Sequence, residues 1–202
     1  MGIYQVKPKF QHALGGIEAV LVRRRVHPDY LTIGALVLSV LGGFALWGSH
    51  WSRWLLLLIP VVAIGRTALN ALDGLVARDT GLARPWGEVL NECCDRLADV
   101  ALLGGVSVAI GSDARLGAVT IVVMLLCSYL SIVSKAAGGK RQYGGIMGKA
   151  DRMIYLSIAS VIAFALSGDH VFTIFLFVVL AGLLLTIPVR ARATYADLQP
   201  HS

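Results

Sequence analysis

Asn70, Asp73, Asn91 and Asp95 are the side chains whose types and spacing point most directly to chemistry. On a helix, Arg66, Asn70, Asp73 and Ala77 fall within about 60° of one another and form one polar stripe. Asn91, Asp95 and Asp99 recur every fourth residue and form a second. Carboxylate and amide oxygens at such spacings are hard donors that suit Mg²⁺ or Mn²⁺, and those ions suit phosphate chemistry. Gly74 and Gly87 would let a nucleotide approach the backbone closely. A plainer reading pairs Asp73 and Asp95 with Arg66, Arg78 or Arg96, as buried charges generally require. The clustering of acids, amides and glycines on two stripes favours a ligand site.

The elements that must carry these stripes are membrane helices. Of 202 residues, 56% are hydrophobic and only 15% charged, with a mean hydropathy of +0.73. That balance points to lipid as the solvent. Windows 30–48, 116–134 and 171–189 hold no charged residue, and each is long enough to cross roughly 30 Å of hydrocarbon. Window 54–72 holds only Arg66, and Pro60 is expected to kink it. Windows 91–112 and 154–166 are less uniformly apolar and complete a set of six.

The formal charge of +6 fits anionic headgroups better than nucleic acid. Only Arg53 and Arg115 fall at the hairpins of one side, so both termini and the two long loops are expected in the cytoplasm. Segment 8–26 carries Phe10, Leu14, Ile17, Val20 and Leu21 near helical spacing and ends in Arg23, Arg24 and Arg25. This pattern predicts an interfacial amphipathic helix in contact with membrane lipids. The expected fold is an all-α integral membrane protein: segment 1–29, a six-helix transmembrane catalytic domain over 30–193, and a cytoplasmic tail over 194–202. No cleavable signal peptide is visible. Cys93, Cys94 and Cys127 read as packing residues, the histidines as solvated, and Trp47, Trp51 and Trp54 as interfacial anchors. Arg66 is expected to neutralise Asp73 or hold the helix pair in register.

The stretch from Asn70 to Asp99 resembles the signature of the CDP-alcohol phosphatidyltransferases, Asp-x2-Asp-Gly-x2-Ala-Arg-x8-Gly-x3-Asp-x3-Asp. Asp73, Gly74, Ala77, Arg78, Gly87 and Asp95 match it at the expected gaps. The resemblance implies Mg²⁺ or Mn²⁺ at positions 70, 73, 91 and 95, and a CDP-diacylglycerol diphosphate near Asp73, Gly74, Ala77, Arg78 and Gly87. It also implies Asp95 as the base that deprotonates a small alcohol acceptor, CMP as the leaving group, a homodimer, and a bacterial inner membrane. Asn70 and Asn91 stand where the family has its first and third aspartates. Those positions bridge two divalent ions in the family, so the change implies weaker binding of both ions, a one-metal site, or compensation by Glu88, Glu92 or Asp99.

The basic, glycine-rich loop before the fifth span offers Lys140, Arg141, Lys149 and Arg152 for an acceptor phosphate, pointing to glycerol 3-phosphate or another phosphorylated polyol. Two rival readings are a catalytically altered CDP-lipid-binding relative and a small membrane transporter with the intramembrane charges along an ion path.

Overall fold

The computed structural model describes residues 7–166 and 170–199, with side chains from residue 14 onward. Its helices are α1 (Lys7–Arg23), α2 (Pro28–Trp47), α3 (Leu58–Asp79), α4 (Pro85–Ser107), α5 (Ala114–Ala136), α6 (Lys149–Leu166) and α7 (Val171–Leu198). Short 3₁₀ turns at Gly48–His50 and Arg53–Leu57 join α2 to α3. No strand occurs among the described residues.

Local chemistry sets the ends of these helices. Pro28 and Pro85 occupy first-turn positions, where a missing N–H costs nothing. The His27 ring accepts from the Asp29 N–H at 3.3 Å, and Asp113 accepts from the N–H groups of Arg115 and Leu116 at 2.8 and 3.0 Å. Pro60 does not kink a long span. The 3₁₀ turn at Arg53–Leu57 precedes α3, so Pro60 falls in the first turn of that helix. After α5, Gly138 adopts a φ of 93° and the Gly139 N–H reaches the Ser134 carbonyl at 3.0 Å, closing the helix end.

Helix α2 packs on α3 and α4, α3 on α6, α6 on α7, α7 on α5, and α5 on α4, which closes a ring of six helices. Helix α1 packs on α3. Gly43 and Gly105 let α2 and α4 touch backbone to backbone, since a Cβ on Gly105 would meet the Gly43 carbonyl oxygen at 2.5 Å. Among the described residues, four helical stretches are long and apolar enough to cross a membrane: Pro28–His50, Arg53–Asp79, Ala114–Ala136 and Val171–Leu198. Helices α4 and α6 carry charged residues in their first turns and fall outside that group.

Contacts define two ends of the ring. At one end His50 meets the Val108 carbonyl at 2.8 Å, Ser49 accepts from the Ile110 N–H, and Thr173 donates to the Gly111 carbonyl. Exposed Trp47, Trp51 and Trp54 lie at this end. The other end carries the candidate site. His27 and His50 are thus partnered rather than merely solvated.

Of the α1 side chains, Leu14 and Leu21 turn toward α3, whereas Ile17 and Val20 are exposed. The side chain of Phe10 lies outside the described residues, as does most of the 199–202 end. Helix α7 runs past Pro188 to Leu198, through the boundary drawn at 193 from the sequence.

Candidate active site

Helices α3 and α4 are not among the closely packed pairs, although a short loop joins them. Helix α2 packs against both, and α3 and α4 reach each other through long polar side chains instead. Asn70 donates from Nδ2 to Asp95 Oδ1 at 3.0 Å, and Arg66 donates to the Asp95 carbonyl at 3.3 Å. The two stripes therefore meet through polar side chains rather than along a packed seam.

Asp73 is 5% exposed and accepts from Thr32 Oγ1 of α2 at 2.9 Å. Asp95 forms an ion pair with Lys149 of α6, and Arg96 stands 3.8 Å from its second oxygen. Asn91 Oδ1 is buried and has no hydrogen-bond partner. A buried amide oxygen with no donor is a costly arrangement unless something outside the chain supplies one. It sits one helical turn before Asp95, on the same face of α4.

Gly74 and Gly87 have ordinary space around them. A Cβ at Gly74 would come no nearer than 3.6 Å to Arg78 Nη1, and one at Gly87 no nearer than 3.7 Å to Arg84. Packing within the chain therefore does not require glycine at either position. Arg78 is exposed at the end of α3, close over Gly74, and Ala77 lies beside it, half-buried.

Arg66 does not pair with Asp73. It is fully buried and donates to Asp99 Oδ1 at 2.6 Å, while Arg152 of α6 donates to Asp99 Oδ2 at 2.6 Å. Asp99 thus locks α3, α4 and α6 together. Its neighbours Glu92 and Glu88 are also engaged: Glu92 pairs with Arg96 at 3.3 Å and with Arg141, and Glu88 with Lys135. The three acids considered as stand-ins for lost aspartates each hold a cation in this structure, and Asp99 is enclosed by guanidinium groups.

The basic loop residues divide in the same way. Lys149 and Arg152 share a face, but that face is turned to Asp95 and Asp99. Lys140 has an exposed side chain, and its backbone N–H is held by Asp197 of α7. Arg190 of α7 does not stand out in the sequence, where a basic residue after an apolar span looks like any topology signal. It donates to the Gly144 carbonyl at 2.9 Å, the Cys127 carbonyl at 3.0 Å and Ser131 Oγ at 2.8 Å, and so ties the basic loop to α5. Nor does spacing single out Thr32 as the partner of Asp73. Among the described residues, no group of three His, Cys, Asp or Glu side chains could hold a metal ion.

Residues 25–188 match the CDP-alcohol phosphatidyltransferase family, a span that contains the polar groups just described apart from Arg190 and Asp197. The chain belongs to that family. This CDP-alcohol phosphatidyltransferase is a membrane transferase of phospholipid biosynthesis. It is 35% identical over 162 residues to inner membrane protein YnbA of Escherichia coli, covering 78% of each chain. It is 28% identical to the archaetidylinositol phosphate synthase of Pyrococcus horikoshii, over 77% of this chain and 80% of that one. Its fold matches that of the Mycobacterium tuberculosis phosphatidylinositol phosphate synthase, solved with CDP-DAG bound and with manganese and citrate. In both cases the TM-score is 0.72 at 20% identity, over 93% of this transferase and 96% or 91% of the solved chain.

Proposed function

We propose that this transferase moves a phosphatidyl group from CDP-diacylglycerol to a phosphorylated polyol, releasing CMP, in the cleft between α3 and α4. The observation that carries the reading is the Asn70–Asp95 contact between α3 and α4, on the helix faces that also bear Asp73 and Asn91, with the buried Asn91 amide oxygen left without a donor. The name of the archaetidylinositol phosphate synthase relative favours inositol phosphate over glycerol 3-phosphate as the acceptor.

The donor set fits a hard divalent cation, Mg²⁺ or Mn²⁺. Asp73 and Asp95 would supply carboxylate oxygens, and Asn70 and Asn91 neutral amide oxygens. When bound, such an ion neutralises diphosphate charge. The remaining work falls to the chain. Arg78 contacts the diphosphate, and the space at Gly74, Ala77 and Gly87 admits it against the backbone. Asp95 takes the proton from the acceptor hydroxyl as that oxygen bonds to the phosphatidyl phosphorus. The bond from phosphorus to the CMP oxygen breaks, and CMP leaves. Lys140 and Arg141 bind the acceptor phosphate, with Arg152 behind them. Lys149 joins them only by leaving Asp95.

In this reading α2 to α7 all cross the membrane, the site lies at the cytoplasmic surface, and α1 rests there on anionic lipid. The charged residues of α4 and α6 are tolerated because Asp95 and Asp99 of α4 pair with Lys149 and Arg152 of α6.

Purified transferase, CDP-diacylglycerol, Mg²⁺ or Mn²⁺ and a panel of acceptors provide the test. CMP should form with a phosphorylated polyol and not with serine or free glycerol. Binding of the CDP-lipid without CMP release from any acceptor would instead favour the catalytically altered relative.

A further inference from the structure

We propose that Lys149 acts as a fixed cation in place of a second divalent ion, so that the cleft takes one such ion per chain. The inference rests on the reading of the cleft as a cation and diphosphate site, and it assigns how the positive charge there is divided.

Three observations point the same way. Asn70 and Asn91 are neutral where a second ion would need acid, and no triad of acidic, His or Cys ligands exists among the described residues. Asp95 Oδ1 is already taken by two donors, the Lys149 ammonium and, at 3.0 Å, Asn70 Nδ2. Asn91 Oδ1, one helical turn before Asp95 on the same face of α4, is buried and has no donor. Donors thus crowd Asp95 Oδ1, while the Asn91 amide oxygen is left bare.

Charge balance agrees. Asp73 and Asp95 face Lys149 and, at 3.8 Å, Arg96, so these four charges already balance. A single divalent ion leaves two positive charges to meet the diphosphate. Two would leave four in a site whose acids are only 5% and 13% exposed, a poor arrangement away from water.

The sign of one measurement separates this role from that of a simple strut. A lysine that competes with the ion by repulsion weakens cation binding, so its removal tightens binding. A strut between α4 and α6 does the opposite. Mn²⁺ binding to the purified full-length protein, without nucleotide or acceptor, can be followed by electron paramagnetic resonance. One Mn²⁺ per chain is expected for the wild type, with Lys149→Met tightening it at least about tenfold and Lys149→Arg leaving it near the wild-type value. The triple variant Asn70→Asp, Asn91→Asp, Lys149→Met should bind two ions and show a spin-coupled pair.

Two Mn²⁺ per wild-type chain would overturn the proposal and leave the cation reading standing. So would weaker or unchanged binding in Lys149→Met, or one ion in the triple variant. No Mn²⁺ on the wild type would remove the cation reading along with it. The wild-type count decides the matter even if a variant fails to fold.

Discussion

Asp95 and Asp99 are one helical turn apart, and the structure gives them different surroundings. Asp99 is 1% exposed between Arg66 and Arg152, each at 2.6 Å. Asp95 is less enclosed and faces the cleft with Asn70 and Lys149. Removing one partner from a buried ion cluster leaves uncompensated charge, at a cost of about 3–5 kcal/mol. Asp99→Asn should therefore lower the thermal unfolding temperature in detergent sharply, with lost activity following from lost fold. Asp95→Asn should keep its unfolding temperature near that of the wild type and lower CMP release by about 10²–10⁴-fold. If the two variants lose stability equally, Asp95 is a structural acid and its assignment as the base is wrong. Spacing alone places both acids on one stripe. It does not reveal which of them holds arginines, because Arg152 lies 53 residues further along the chain.

At the scale of elements, α2 sets the width of the cleft. It is wedged against α3 and α4, and its Thr32 holds Asp73. Its contact with α4 depends on Gly105, where a Cβ would stand 2.5 Å from the Gly43 carbonyl oxygen and 2.6 Å from its Cα. Neither backbone atom can swing aside, so Gly105→Ala must push the helices apart. Overpacking of this kind costs about 1–3 kcal/mol. The expected result is a lower unfolding temperature together with a raised KM for the CDP-lipid, because Asp73 moves with α2. By contrast, Gly74→Ala meets nothing nearer than 3.6 Å and should fold normally while losing diphosphate affinity. A Gly74→Ala enzyme with wild-type KM would remove that glycine from the site. Hydropathy and residue spacing suffice to make the apolar helices and both polar stripes legible in the sequence. They do not reveal that α3 and α4 stand apart with α2 against both, since a short loop reads as close packing. Nor do they show the 3₁₀ turn that changes Pro60 from a kink into a helix start, because hydropathy is blind to hydrogen-bond pattern.

For the whole molecule, the ring has one end rich in basic residues and one end nearly without them. Exposed Arg23, Arg24, Arg25, Arg78 and Arg84 gather at the cleft end with the loop from Lys140 to Arg152, whereas Arg53 and Arg115 are the basic residues beside the tryptophan-bearing end. Basic residues are retained on the cytoplasmic side during insertion, so the charge distribution predicts one orientation for the entire ring. Single cysteines at Arg24 and Ser52, in a background without Cys93, Cys94 and Cys127, would report it through a membrane-impermeant thiol reagent. The cysteine at 52 should react in right-side-out vesicles and that at 24 only in inverted ones. The reverse pattern would place the cleft outside the cell, away from a cytoplasmic CDP-lipid headgroup and acceptor. Equal labelling of both sites from one side would break the count of spans between them, because α2 alone separates these two positions. The orientation and the α2 crossing therefore stand or fall on separate outcomes of one experiment.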